Sequence, residues 1–336
     1  MAGMGKRMRP HTLTIPKPLF PIAGKPIVQR LVDEIHKVCN EPIEEIAFII
    51  GDFGQETENE LISIAKNVGA KGSIYYQEEA LGTAHAILCA ADSLEGNLIV
   101  AFADTLFKAD FELDKEKDGI IWVHKIEDPS AFGVVKLDQN DIITDFVEKP
   151  STFVSDLAII GIYYFKDGLF LKDHLQYLID NDIKDKGEYQ ITNALENMKN
   201  EGKQLSIGSV NEWLDCGNKD ATIFTNQRIL AHLNNGEKRG DDFTVENSVI
   251  LEPCFIGDNV HIKNSVIGPH VSISANCNVD SSIIKNSIIK DNSVVKNLNS
   301  ENSIIGSFSS VEISPKELSV SDHTSISGWC LLGIFF

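Results

Sequence analysis

The sequence predicts an α/β domain followed by a β-helix, and three observations predict it. Over the first hundred residues, short apolar runs alternate with amphipathic stretches. Between residues 119 and 165 closely spaced strand-like runs take over, and from residue 250 branched aliphatics return at a near-constant step. The chain has 336 residues, beyond the roughly 250–300 at which one core stops growing, so two domains are expected.

Pro26 opens a helical pattern with Ile27, Leu31, Ile35 and Val38 on one face. Proline suits a first turn because its missing N–H has no helical partner there. Residues 46–50 read as a buried strand, a helix follows through Leu61, Ile64, Ala65 and Val68, and residues 73–77 read as the next strand. Leu81-Gly82-Thr83-Ala84 is a turn into another helix, with His85 expected on its surface; residues 97–102 form a strand ending near Asp104. Such alternation means crossover connections, helices on both faces and a mixed, mostly parallel sheet, with ligands beyond the carboxyl ends of the strands. Gln77 and Asp104 fall on that rim.

Strands are then expected at 119–124, 132–137, 142–148 and 157–165, helices at 168–179 and 188–200, and a short strand at 205–208. After Trp213-Leu214-Asp215-Cys216-Gly217 a last helix runs to about His232, stopped by Asn234-Asn235-Gly236. The first domain is therefore assigned to residues 1–236, and polar residues to Asp242 form a linker. In the second domain, 243–328, Ile250, Ile256, Ile262, Ile267, Ile273, Val279, Ile284, Ile289, Val295, Ile305 and Val311 recur at steps of mostly six, sometimes five. A hexapeptide period marks a β-helix, in which each short strand lays one aliphatic side chain into an internal stack; a sandwich would alternate at two.

The formal net charge of −19 excludes broad nucleic-acid binding, because the overall field repels a polyanion. The apolar end, residues 329–336, is too short to span a bilayer, so no membrane insertion is expected. The six cysteines are scattered with no C-x-x-C pair, and the N-terminus has no apolar leader core. Free thiols in a reducing cytoplasm are expected. Against this acidic background the first thirty residues hold no acidic residue; they carry Gly3 and Gly5, then Lys6, Arg7 and Arg9, then Lys17 between two prolines. Small residues let backbone N–H groups approach phosphate oxygens, Arg7 offers a forked contact and Lys17 a point charge. The third glycine of a dinucleotide fingerprint and the G-K-S/T end of a P-loop are both absent. Taken alone, the stretch is equally a solvated basic loop.

The run A-G-M-G-K-R-M-R-P-H-T-L-T-I-P-K-P-L resembles the signature of the sugar-phosphate nucleotidyltransferases. Further matches follow in order: Gln77 with Leu81-Gly82-Thr83-Ala84, Asp104, Phe132-Gly133-Val134-Val135, Val147-Glu148-Lys149-Pro150, Gly161-Ile162-Tyr163 and Trp213-Leu214-Asp215-Cys216-Gly217. The resemblance covers nearly the whole chain and is greatest to long-form glucose-1-phosphate thymidylyltransferases, which end in a left-handed β-helix. It implies a Rossmann-like fold of the nucleotide-diphospho-sugar transferase type. The implied reaction moves a nucleotidyl group from an NTP, dTTP or UTP favoured, to a hexose 1-phosphate.

The resemblance also implies roles. Arg7 and Lys17 would be catalytic; Gly3, Gly5, Gln77, Gly82 and Thr83 would bind the nucleotide; Gly133, Glu148, Lys149 and Gly161 would bind the sugar phosphate; and Asp104 and Asp215 would hold Mg²⁺. A homo-oligomer through the β-helix is expected. On residues alone, Asp104 reads equally as a turn residue, Asp215 as a helix cap and Glu148-Lys149 as an exposed ion pair. Two other readings remain: a non-catalytic sugar-nucleotide-binding scaffold, and a bifunctional enzyme whose β-helix also transfers an acyl group through a general base among His261, His270 and His323. Ala2, Lys6 and Ala103 depart from the family's usual Gly, Ser/Thr and Gly. The family places a strand before the opening loop, where this sequence starts, so the loop is expected to be poorly anchored.

Overall fold

A computed structural model describes residues 5–39, 41–110, 112–233 and 239–314, with 319 and 321. Gly3, Cys330, His323, the 234–236 stop and the apolar end lie outside the described residues. The chain opens on 3₁₀ turns, then a hairpin, β1 (Pro21–Ile22) and β2 (Lys25–Pro26), and α1 (Ile27–Cys39). Next come β3 (Glu45–Ile50), α2 (Gln55–Asn67), β4 (Lys71–Tyr76), α3 (Thr83–Leu88), β5 (Leu98–Ala101) and β6 (Thr105–Lys108). The strand-rich part follows with β7 (Gly119–Lys125), β8 (Gly133–Leu137), β9 (Ile143–Glu148) and β10 (Leu157–Phe165). Then come α4 (Gly168–Asp180), α5 (Ile191–Asn200), β11 (Leu205–Ser209), β12 (Glu212–Asp215) and α6 (Lys219–His232).

The main sheet has six strands in the order β11-β7-β10-β8-β9, with β5 also on β10. It is mixed, as expected, but the parallel emphasis needs correction. Strands β5, β7, β8 and β11 share a direction, while β10 runs against β5, β7 and β8, so most ladders are antiparallel. Short connections after residue 119 leave no room for the dozen-residue crossover a parallel neighbour needs. Among the described residues before the β-helix, parallel pairing is confined to β7–β11 and to the separate pair β3–β4. Two cores flank these strands: one holds Phe20, Ile22, Ile27, Leu61 and Leu214, the other Ile121, Phe165, Leu171 and Leu195.

The β-helix is three parallel sheets of five, four and four strands. Register advances by 17 and then 16 residues per coil, as in Thr244↔His261↔Asn278↔Val294. The sequence steps of six and five therefore sum to one coil. Ile256, Ile262, Ile267, Ile273, Val279, Ile284, Ile289 and Val295 are all sealed inside, with Ile250 and Ile305 at the ends of the stack. The polar residues between them turn the corners. Asn247, Asn264, Asn276 and Asn292 take positive φ, which asparagine tolerates better than branched residues do. Their side chains bond along the stack, Asn247 to Asn264 at 2.8 Å and Asn259 to Asn276 at 2.9 Å.

The β-helix packs on the start of the chain. Ala23 and Gly24 form the two-residue turn between β1 and β2 with φ of 46° and 85°, the positive pair that a type I′ hairpin requires. A Cβ on Gly24 would lie 2.2 Å from the ring of Phe255, so the β-helix closes directly on the turn. Ile288 joins the first core, Phe255 and Ile304 pack against it, and Lys290 stands 5.6 Å over the Phe20 ring. Asn226 of α6, fully buried, is the junction: its Oδ1 accepts from Ala23 N–H at 2.9 Å and from the Ser272 hydroxyl at 2.7 Å. Arg30 holds the carbonyls of Ile22 and Ala23, both at 2.7 Å. The β1–β2 hairpin that follows the opening loop is thus tied down from three sides.

Cys39, Cys89, Cys216, Cys254 and Cys277 are free, the last three buried. Burial pushes the Cys216 thiol up to about 12 and the Cys254 and Cys277 thiols up to about 11. Among the described residues no helix is long and apolar enough to cross a membrane.

Candidate active site

Gly5 takes φ 53° and starts the 3₁₀ turn Lys6–Met8; its carbonyl accepts from Met8 N–H and from the Thr12 hydroxyl, both at 2.9 Å. Met8 is buried with its sulfur 3.3 Å from Thr222 Oγ1, which fixes the turn that presents Arg7. Lys17 follows in a second 3₁₀ turn and is buried, with its ammonium 2.8 Å from Asp104 Oδ2. The lysine side chain is 8% exposed but that of Asp104 is 41% exposed, so the pair is sealed behind the lysine and open in front of the carboxylate.

Asp215 is brought to Asp104 by the sheet. Antiparallel pairing of β6 with β12 sets Thr105 opposite Asp215, and Cys216 N–H donates to the Asp104 carbonyl at 2.9 Å. Asp215 is not a helix cap: Asn218 caps α6 by accepting from Ala221 N–H, while Asp215 Oδ1 accepts from Gly217 N–H at 2.9 Å. A Cβ on Gly217 would meet Asp215 Oδ2 at 2.7 Å and Arg7 Nη2 at 3.2 Å, which places the guanidinium beside this turn. Burial raises the Asp104 pKa, but the charge and hydrogen bond of Lys17 outweigh it and the net shift is downward. The Asp215 pKa is raised, first by burial and then by the negative charge of Asp104, with Lys17 and Arg7 opposing. Four charges from residues 7, 17, 104 and 215 therefore form one electrostatic unit.

A second group surrounds Glu148. It sits opposite Gly133 across β8 and β9, and a Cβ on Gly133 would come 3.0 Å from Glu148 Oε2. Lys149, at φ 41°, keeps its ammonium 3.3 Å from Glu148 Oε1; the lysine is half-exposed and the glutamate mostly buried. Gly161 takes φ 81° where the β10–β7 register shifts, and a Cβ there would lie 2.8 Å from the Phe102 ring. Phe102 N–H donates to the Gly161 carbonyl at 2.8 Å and the Thr105 hydroxyl to that of Ile160 at 2.8 Å, so this bulge is bonded to both sides of Asp104.

The third group is Gln77, Gly82 and Thr83. Gln77 directly follows β4 and is buried; its amide nitrogen lies 3.1 Å from the Gly82 carbonyl and 3.0 Å from His85 Nδ1. Gly82 takes φ 118°, and a Cβ would lie 2.4 Å from the Tyr189 carbonyl. The Thr83 hydroxyl bonds Gln190 Oε1 at 3.1 Å and Ile191 N–H at 2.9 Å, so it fastens this turn to the start of α5. Sequence reasoning missed Gly217, Asn226, Gln190 and the tie of His85 to Gln77. Only Gly217 carried a signal, its place beside Asp215. Of the β-helix histidines, His261 is exposed with Nδ1 2.8 Å from Thr244 Oγ1.

The model of the nucleotidyl transferase family matches residues 1–232, more than half the chain. The chain belongs to the nucleotidyl transferase family. This nucleotidyl transferase is 28% identical over 313 residues to the low-salt glycan biosynthesis nucleotidyltransferase Agl11 of Haloferax volcanii, covering 85% of each chain. It is 29% identical over 332 residues to a glucose-1-phosphate thymidylyltransferase of Streptomyces antibioticus, covering 90% of each. The likeness to the bifunctional protein GlmU of Methanococcus aeolicus, 29% over 255 residues, covers 75% of this chain and 59% of that one. Among solved structures, a UDP-glucose pyrophosphorylase complexed with UDP-glucose superposes with a TM-score of 0.57 at 26% identity, over 69% of this chain and 97% of that one.

Proposed function

We propose that this nucleotidyl transferase joins an NTP, dTTP or UTP, to a hexose 1-phosphate and releases pyrophosphate. The observation that carries the reading is the convergence of Arg7 and Lys17 with Asp104 and Asp215 from distant parts of the chain. A sugar-phosphate oxygen attacks the α-phosphorus, the bond from that phosphorus to the β-phosphate bridge oxygen breaks, and pyrophosphate leaves with its electron pair. The reaction needs no protein nucleophile. It needs two anions brought together and neutralised, so the residues act by positioning and electrostatics. Arg7 grips the triphosphate and the leaving pyrophosphate, and Lys17 offsets charge at the α-phosphate. Gly5 presents backbone, Gln77 and Gly82 face the base, and Gly133, Glu148, Lys149 and Gly161 receive the sugar phosphate.

Asp104 and Asp215 suit Mg²⁺: both are hard oxygen donors, and the Asp215 pKa, raised first by burial and then by the charge of Asp104, is one that a cation would bring down. Among the described residues no group of three or more His, Cys, Asp or Glu side chains could hold a metal. Phosphate and water oxygens would complete the coordination of such a cation. When bound, it would neutralise phosphate charge. Incubation with a panel of NTPs and hexose 1-phosphates should release pyrophosphate with dTTP or UTP; silence across the panel would sink the reading.

We infer two domains, 1–236 and 243–328, and the buried free thiols favour a cytoplasmic setting, which cell fractionation checks. We further infer a homo-oligomer through the β-helix. Val249, Val266 and Ile283 form one column on its outside, with Val249 and Ile283 52% and 53% exposed. Ile283→Glu is expected to yield a smaller species in sedimentation equilibrium, and an unchanged mass would contradict this interface.

A further inference from the structure

We propose that His85 is a positioning residue that sets which face of Gln77 meets the nucleobase, and so contributes to base selection. The inference rests on the nucleotide-transfer reading. The Gly82 carbonyl can only accept a hydrogen bond, so the Gln77 atom 3.1 Å from it is the amide nitrogen. The same nitrogen lies 3.0 Å from His85 Nδ1. An amide nitrogen can only donate, so Nδ1 is the accepting nitrogen and a neutral His85 carries its proton on Nε2. Both amide hydrogens of Gln77 are then engaged by the protein.

What remains is Oε1, which has no hydrogen-bond partner among the described residues and is not sealed from solvent, although Gln77 as a whole is only 8% exposed. An unpaired acceptor at this place is free to take a hydrogen bond from a ligand. The pairing edges of uracil, thymine and guanine present a ring N–H. Those of cytosine and adenine present a ring lone pair, which an acceptor repels. Gln77 is thus set to favour the first three bases. At that ring nitrogen the amide would suit the other two only by turning over, and that would bring Oε1 against the Gly82 carbonyl. His85 withholds the alternative by giving the second amide hydrogen a fixed acceptor. The backbone around the pair is itself rigid: Ala84 N–H donates to the Tyr189 carbonyl at 2.9 Å and Tyr189 N–H to that of Leu81 at 2.8 Å.

The test compares the wild type with His85→Leu, which removes the acceptor, and His85→Asn, which restores one. Initial rates with UTP, dTTP, CTP and ATP are measured alongside calorimetric binding of UTP and CTP. His85→Leu is expected to narrow the UTP-over-CTP ratio of kcat/KM by about tenfold, mostly through KM, with His85→Asn recovering much of the loss. A role confined to packing would slow all four nucleotides alike and leave the ratio alone. An unchanged ratio, or loss of affinity equal for UTP and CTP, overturns the proposal. Should the wild type release no pyrophosphate, the transfer reading fails, and the calorimetric preference still decides the part played by His85.

Discussion

Asp104→Asn and Lys17→Met should each lower the rate of pyrophosphate release by about 10³-fold at saturating substrates, the scale seen when one preorganised charge is removed from a reacting phosphate or oxyanion. The two side chains are 2.8 Å apart, and Lys17 is buried against a carboxylate whose other side is open. Removing either leaves its partner uncompensated. The double variant should therefore be little slower than the single ones, because groups that act as one unit lose their effect together. Initial rates for the four proteins of this cycle check it. Fully multiplicative losses would mean that Lys17 and Asp104 work independently.

The second large effect is on stability. Asn226→Ala strands two buried donors, Ala23 N–H and the Ser272 hydroxyl, while relieving Nδ2, which has no partner of its own. The net cost is expected to be about 3 kcal/mol, against about 1 kcal/mol for Ser272→Ala, which removes one hydroxyl and leaves Asn226 bonded to Ala23. Denaturant unfolding measures both. Asn226→Ala should also raise KM for the nucleotide, because the hairpin it holds begins four residues after Lys17. Equal costs for the two substitutions would show that the junction is no more than one surface-like bond.

The β-helix was legible in the sequence because its geometry is local and repetitive: each coil advances 16 or 17 residues, and that step is written in Ile256, Ile262, Ile267 and Ile273. The positions of β3, α1, α2 and β10 were legible for the same reason, since apolar periodicity reports burial along one element. Strand direction was not. An apolar run such as residues 157–165 reads the same whichever way it runs, and only its partners made β10 antiparallel. The charged centre lies between these cases: residue type and order pointed to Arg7, Lys17, Asp104 and Asp215 through resemblance, whereas the β6–β12 ladder that joins the carboxylates is a tertiary fact. Asn226 was invisible because its partners are 203 and 46 residues away. The sequence places His85 on the helix surface because nothing in a separation of eight residues marks a side-chain bond to Gln77.

The central claim is attack at the α-phosphorus by a sugar phosphate, and the fate of a labelled α-phosphate tests it most directly. With α-³²P-labelled UTP or dTTP, a hexose 1-phosphate and Mg²⁺, the label should appear in the nucleotide sugar while the released pyrophosphate stays unlabelled, and Lys17→Met should suppress both products together. Label accumulating in free nucleoside monophosphate, or remaining in the triphosphate while the sugar phosphate is unconsumed, would contradict the account.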